Sequence, residues 1–157
     1  MNFSIYKLYP NDDFTVFQFV SLGSKDQILK VIRFYPTSNP KVYNLGLADV
    51  RYVDEKEGVI TVDDQRVSNN GDIEKIMRTV ASSICIFGQH YPDIFVLFGS
   101  GSPVRRRLYR MIMQKYFVEI SKTFILFGAK RQDDGKIVNV PFCFNVNGDG
   151  FSIKFNI

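Results

Sequence analysis

Ile94-Phe95-Val96-Leu97-Phe98-Gly99-Ser100-Gly101-Ser102-Pro103-Val104-Arg105-Arg106-Arg107-Leu108-Tyr109-Arg110 changes character halfway along. Its first part is an unbroken apolar run bounded by Pro92 and Gly99, as suits a strand covered on both faces. The glycines then make a tight turn, Ser102 is placed to cap a helix, and Pro103 fits the first helical position, where its missing N–H costs nothing. The stretch reads as strand, loop, helix.

Upstream of it, Ile73, Ile76, Met77, Val80, Ala81, Ile84 and Phe87 recur at helical spacing behind Asn69-Asn70-Gly71-Asp72, which supplies capping side chains and a first-turn acid. A helix ending near Gly88 is predicted. Downstream, the helix from Pro103 to about Ser121 leads to Phe124-Ile125-Leu126-Phe127-Gly128, which echoes Phe95-Val96-Leu97-Phe98-Gly99. We read the echo as shared strand composition, not as a repeat, with the two strands joined by a right-handed crossover helix.

The N-terminal half has the other period. Phe14 to Leu22, Gln27 to Tyr35, Val42 to Val53 and Val59 to Val67 are β-type runs separated by polar, turn-prone segments such as Gly23-Ser24-Lys25-Asp26 and Pro36-Thr37-Ser38-Asn39-Pro40. Val31, Arg33 and Tyr35 alternate with Lys30, Ile32 and Phe34, which predicts one packed and one partly wet face. The tail from Lys136 to Ile157 alternates around Asn147-Gly148-Asp149-Gly150, a hairpin signal expected to add two edge strands. The fold class expected is α+β, a mixed, mostly antiparallel sheet begun by a meander, with two helices in a helix-strand-helix-strand C-terminal half. At 157 residues one domain, 1–157, is expected.

Composition narrows the functions. No apolar run approaches the roughly 20 residues of a membrane-spanning helix, and the first residues lack the pattern of a secretory signal, so a cytoplasmic protein with no membrane partner is expected. Cys85 and Cys143 sit in apolar surroundings without metal-ligand spacing and read as buried, reduced thiols. His90 is the single histidine. It has no Cys or His neighbour, so metal chemistry would have to run on carboxylates: Asp49, Asp54, Glu55, Glu57, Asp63 and Asp64 are the candidates, although their clustering between strands is also what solvated loops produce. No cofactor is implied.

The net charge of +4 is modest, and its placement says more. Helix N-termini favour anions, yet the predicted helix places Arg105, Arg106 and Arg107 in and beside its first turn. A bound anion resolves that conflict. The candidate anion site is Gly99, Ser100, Gly101, Ser102, Arg105, Arg106, Arg107 and Arg110, with backbone N–H groups and guanidinium forks as donors to a phosphate, a nucleotide or a nucleic acid. The loop is neither GxxxxGK[ST] nor GxGxxG. The competing account makes the arginines a solvated helix face paired with Asp63, Asp64 or Asp49. Two other classes stand beside a binding module. One is a metal-dependent enzyme acting on a phosphodiester, such as a toxin-type nuclease; the other is a protein-interaction subunit or homo-oligomer in which Arg and aromatic residues are anchors.

Phe17-Gln18-Phe19-Val20-Ser21, Val31-Ile32-Arg33-Phe34, Val42-Tyr43-Asn44-Leu45-Gly46, Ser68-Asn69-Asn70-Gly71-Asp72, Thr79-Val80-Ala81-Ser82, and Gly99-Ser100 through Arg107-Leu108-Tyr109-Arg110-Met111 together resemble a family of small bacterial proteins of unknown function, of a type frequent in Bacteroidota. The resemblance spans Tyr6 to Phe127, with a tail from Ala129 that looks variable. It implies a stand-alone domain and no catalytic residue.

Overall fold

The structure, a computed structural model, describes residues 4–24, 26–54, 56, 59–63, 71–98, 103–142 and 150–155. The chain divides into two compact units, Met1–Phe34 with Gly46–Phe87, and Tyr35–Leu45 with Gly88–Ile157.

The first unit is the meander and its helix. Strands β1 (Tyr9–Pro10), β2 (Val16–Gly23), β3 (Asp26–Pro36), β4 (Val42–Asp54) and β5 (Val59–Asp63) are hydrogen-bonded in that order, and α1 spans Ile73–His90. The last residues of β3 and the first of β4 belong to the second unit. In the β2–β3 hairpin Phe17 is opposite Ile32, Phe19 opposite Lys30 and Ser21 opposite Ile28. Because side chains alternate across a strand, these residues share one face. Phe17, Phe19, Ser21, Lys30, Ile32 and Phe34 are all buried on it, while Val20 and Leu22 on the other face are exposed.

Helix α1 covers this inner face with Ile76, Thr79, Val80, Ser83, Ile84 and Phe87, all buried and recurring in the i, i+3, i+4, i+7 pattern of one helix face. Phe87 stacks on Phe34 with ring centres 4.3 Å apart. Two buried hydroxyls are satisfied within the helix, Thr79 Oγ1 donating to Lys75 O and Ser83 Oγ to Val80 O. The other face, with Val31, Arg33 and Tyr35, is partly wet as expected: Tyr35 is exposed and Arg33 half-buried, while Val31 is buried.

The second unit contains the first residues of β4, then β6 (Phe95–Phe98), α2 (Pro103–Lys115), α3 (Phe117–Thr123), β7 (Phe124–Arg131), β8 (Ile137–Pro141) and β9 (Gly150–Phe155). Its strand order is β4-β6-β9-β7-β8. The β4–β6 pair is parallel, Val42 lying beside Phe95, and β6–β9, β7–β9 and β7–β8 are antiparallel. The fold is therefore α+β with a mixed, mostly antiparallel strand arrangement.

Two expectations change here. The C-terminal strands do not both lie at an edge: β9 inserts between β6 and β7, pairing Ile153 with both Val96 and Leu126. Phe151, Ser152 and Ile153 are all buried there, as an inserted strand requires. The long second helix is two helices, interrupted at Tyr116, whose ψ of 17° leaves the helical region. Phe117, the first residue of α3, stacks on Phe142. The turn Asn147-Gly148-Asp149 and Cys143 lie outside the described residues.

One glycine is required by a close approach. Gly88, in the last turn of α1, lies so near β9 that a Cβ there would sit 2.6 Å from Phe155 Cβ. Among the described residues no helix is long and apolar enough to cross a membrane.

Candidate anion-binding site

Strand β6 ends at Phe98 and α2 begins at Pro103, so the candidate segment runs from a strand to a helix. Gly99, Ser100, Gly101 and Ser102 lie outside the described residues. Arg105 is in the first turn of α2, which contains no acidic residue. Arg106 and Arg110 are half-buried and Arg107 is exposed.

The arginines therefore differ in exposure. Arg106, Tyr109, Arg110 and Met113 recur at helical spacing along the packed side of α2, where burial is deepest at Met113. Tyr109 meets Phe98 edge to face with ring centres 6.1 Å apart, which holds this side of the helix against the end of β6. Arg107, Met111 and Gln114, on the adjoining arc of the helix, are exposed. Arg107 is solvated, and Arg106 and Arg110 are partly covered. The last two are four residues apart, so their like charges oppose helix formation by about 0.2–0.5 kcal/mol, in addition to the unfavourable meeting of Arg105 with the helix dipole.

The carboxylates distribute differently from the sequence expectation. Asp49 is not a loop residue: it is buried on β4 and accepts from Lys30 Nζ at 2.6 Å. Asp63, the last residue of β5, is the cross-strand partner of Asp49, and Asp54 ends β4 opposite Val59. Glu55, Glu57 and Asp64 lie outside the described residues. Among the described residues no group of three or more His, Cys, Asp or Glu is placed to hold a metal ion. His90 closes α1 in its last turn, where its side chain is exposed. Cys85 is a free, half-buried thiol, and burial raises its pKa, which keeps it protonated and weakly nucleophilic.

Sequence reasoning missed two polar clusters of the first unit. The Lys30–Asp49 pair is one. The other gathers at the start of α1, where Tyr6 OH and Ser21 Oγ both donate to Asp72 Oδ2, at 2.5 and 2.6 Å. Tyr6 OH also accepts from the Leu22 N–H, and the Tyr6 N–H donates to Thr79 Oγ1. Burial first, and the Asp72 carboxylate next, push the Tyr6 pKa above the ordinary tyrosine value. The signal for Lys30 was present: a lysine in register with Phe17, Phe19 and Ile32 on a strand with a packed face needs a buried acid. Nothing local marked Tyr6, which is tied to residues far along the chain.

No curated protein and no solved structure matches this sequence. A family model does, over residues 2–156 and thus through the C-terminal strands as well as the region from Tyr6 to Phe127. The chain belongs to that family, a Family of unknown function (DUF6934).

Proposed function

We infer that this chain is a binding module for a phosphate-bearing ligand, taken up where β6 passes into α2. The observation that carries this reading is a helix that opens with cations and no acid, two of whose arginines, Arg106 and Arg110, are half-buried at helical spacing from Tyr109. Guanidinium groups held in this way lose less rotamer freedom on closing around an anion and offer forked donors that match phosphate oxygens. Backbone N–H groups of Gly99, Ser100, Gly101 and Ser102 complete the cradle in this reading, with Arg105 and Arg107 adding charge. A phosphate, a nucleotide and a nucleic-acid backbone share the required chemistry. The carboxylate-metal alternative is weaker, because Asp49 is already neutralised by Lys30.

The test is a thermal-shift series with inorganic phosphate, nucleotides and short RNA or DNA, run on the wild type and on Arg105→Ala/Arg106→Ala. Stabilisation of the wild type that fades with added salt and is lost in the variant is expected. No shift with any of these anions, together with an unchanged or higher melting temperature of the variant, would return the arginines to a solvated helix face and turn the search towards protein partners.

A further inference from the structure

The last strand of the second unit has an open side. Strand β8 pairs with β7 in unbroken register from Arg131–Ile137 to Phe127–Pro141, and among the described residues no strand pairs its other edge. The β7–β8 turn sets which backbone groups face outward. Gly135 has φ of +83°, its N–H donates to Gln132 O, and Gln132 N–H donates to Lys136 O, a three-residue loop with a glycine bulge. Gln132 and Lys136 are thus a hydrogen-bonded pair. Antiparallel ladders alternate, so Val138 and Val140 point their N–H and C=O groups at β7, and Ile137 and Asn139 point theirs away. Pro141 offers only its carbonyl on the outer edge.

Proteins usually guard such an edge with a charge, a bulge or a central proline. Ile137-Val138-Asn139-Val140 has none of these, and its proline comes last. Ile137 is 36% exposed and Asn139 is exposed too. The outer groups also fit their own copy. A two-fold axis at Asn139 sets Asn139 against Asn139 of a second chain, with two reciprocal N–H···O bonds, and sets each Ile137 N–H against the other chain's Pro141 carbonyl. The missing proline N–H falls at the ends, where it interrupts nothing. On one face, Val138 of each copy meets Val140 of the other.

We propose that β8 is a self-association edge, and that two copies of this chain join antiparallel through Ile137–Pro141 about a dyad at Asn139. No charge in the strand opposes this pairing, and isologous contacts of this kind are what two-fold symmetry requires. Five residues a side bury less than the roughly 1,200 Å² of a standard interface, so the association is weak and is sought at about 0.1–1 mM chain.

Sedimentation of the full chain over that range decides the matter. The expected result is a weight-average mass that climbs towards twice the monomer for the wild type. Asn139→Pro, which removes an outward N–H and leaves the ladder to β7 intact, is expected to stay monomeric. Asn139→Lys and Asn139→Asp each place like charges across the dyad and are expected to associate less than the wild type, whereas an equimolar mixture of the two recovers dimer. A wild type that remains monomeric throughout, an Asn139→Pro variant that dimerises like the wild type, or a mixture no more dimeric than either charged variant alone would each overturn the proposal.

Discussion

Lys30 and Asp49 offer the sharpest check on how the first unit is held together. The Lys30 side chain is 0% exposed and that of Asp49 12%, and they meet at 2.6 Å beside Phe19 under α1. Removing one partner strands the other charge in a poorly solvated site, which costs about 3–5 kcal/mol. Lys30→Met and Asp49→Leu are each expected to lose that much, Asp49→Leu the more because the ammonium left behind is the deeper charge. With a urea m-value of about 2 kcal/mol/M, the unfolding midpoint drops by about 2 M. The double variant, which replaces both charges with apolar groups, is expected to recover most of the loss, so the cycle has a large interaction energy. Equilibrium unfolding in urea, followed by far-ultraviolet circular dichroism, measures all four proteins. Single costs below about 1 kcal/mol that simply add in the double variant would refute the reasoning, since that is how an exposed ion pair behaves.

Three further substitutions test other parts of the chain. Gly88→Ala gains up to about 1 kcal/mol of helix propensity, but its Cβ meets Phe155 at 2.6 Å, an overpacking cost of about 1–3 kcal/mol; a lower melting temperature is expected, and a higher one would contradict the close approach of Gly88 and Phe155. Tyr6→Phe leaves the Leu22 N–H without its acceptor and costs about 1–3 kcal/mol by thermal or urea unfolding. The same hydroxyl has a folded pKa above its unfolded value of 10.0, so its contribution is complete below pH 10 and is lost as pH rises beyond it; melting temperature against pH from 9 to 12 should fall more steeply for the wild type than for Tyr6→Phe. Arg105→Glu, measured in the absence of any added anion, should raise the melting temperature by about 1–4 °C, because an acid in the first turn of α2 complements the dipole that the arginine opposes, and a decrease would mean that Arg105 has a structural partner.

Elements whose signals are local were legible in the amino-acid sequence. The spacing from Ile73 to Phe87 defined α1 and its buried stripe, the polar breaks separated β2, β3 and β4, and Pro103 marked the start of α2. These features depend on side-chain period, capping and turn chemistry within a few residues of one another. The candidate anion site was legible in the same sense, as an order of strand, glycines and arginines; that Arg106 and Arg110 are half-buried and Arg107 exposed depended on how Tyr109 meets Phe98. Tertiary structure alone decided the rest. The tail strand β9 entered between β6 and β7 because Phe151, Ile153 and even Ser152 could be buried there, a pairing across tens of residues that no turn signal encodes. That Lys30 alternates with apolar residues was legible, but its partner was not: it turns inward because its register opposes Phe19, and it is tolerated there because β4 brings the Asp49 carboxylate to meet it.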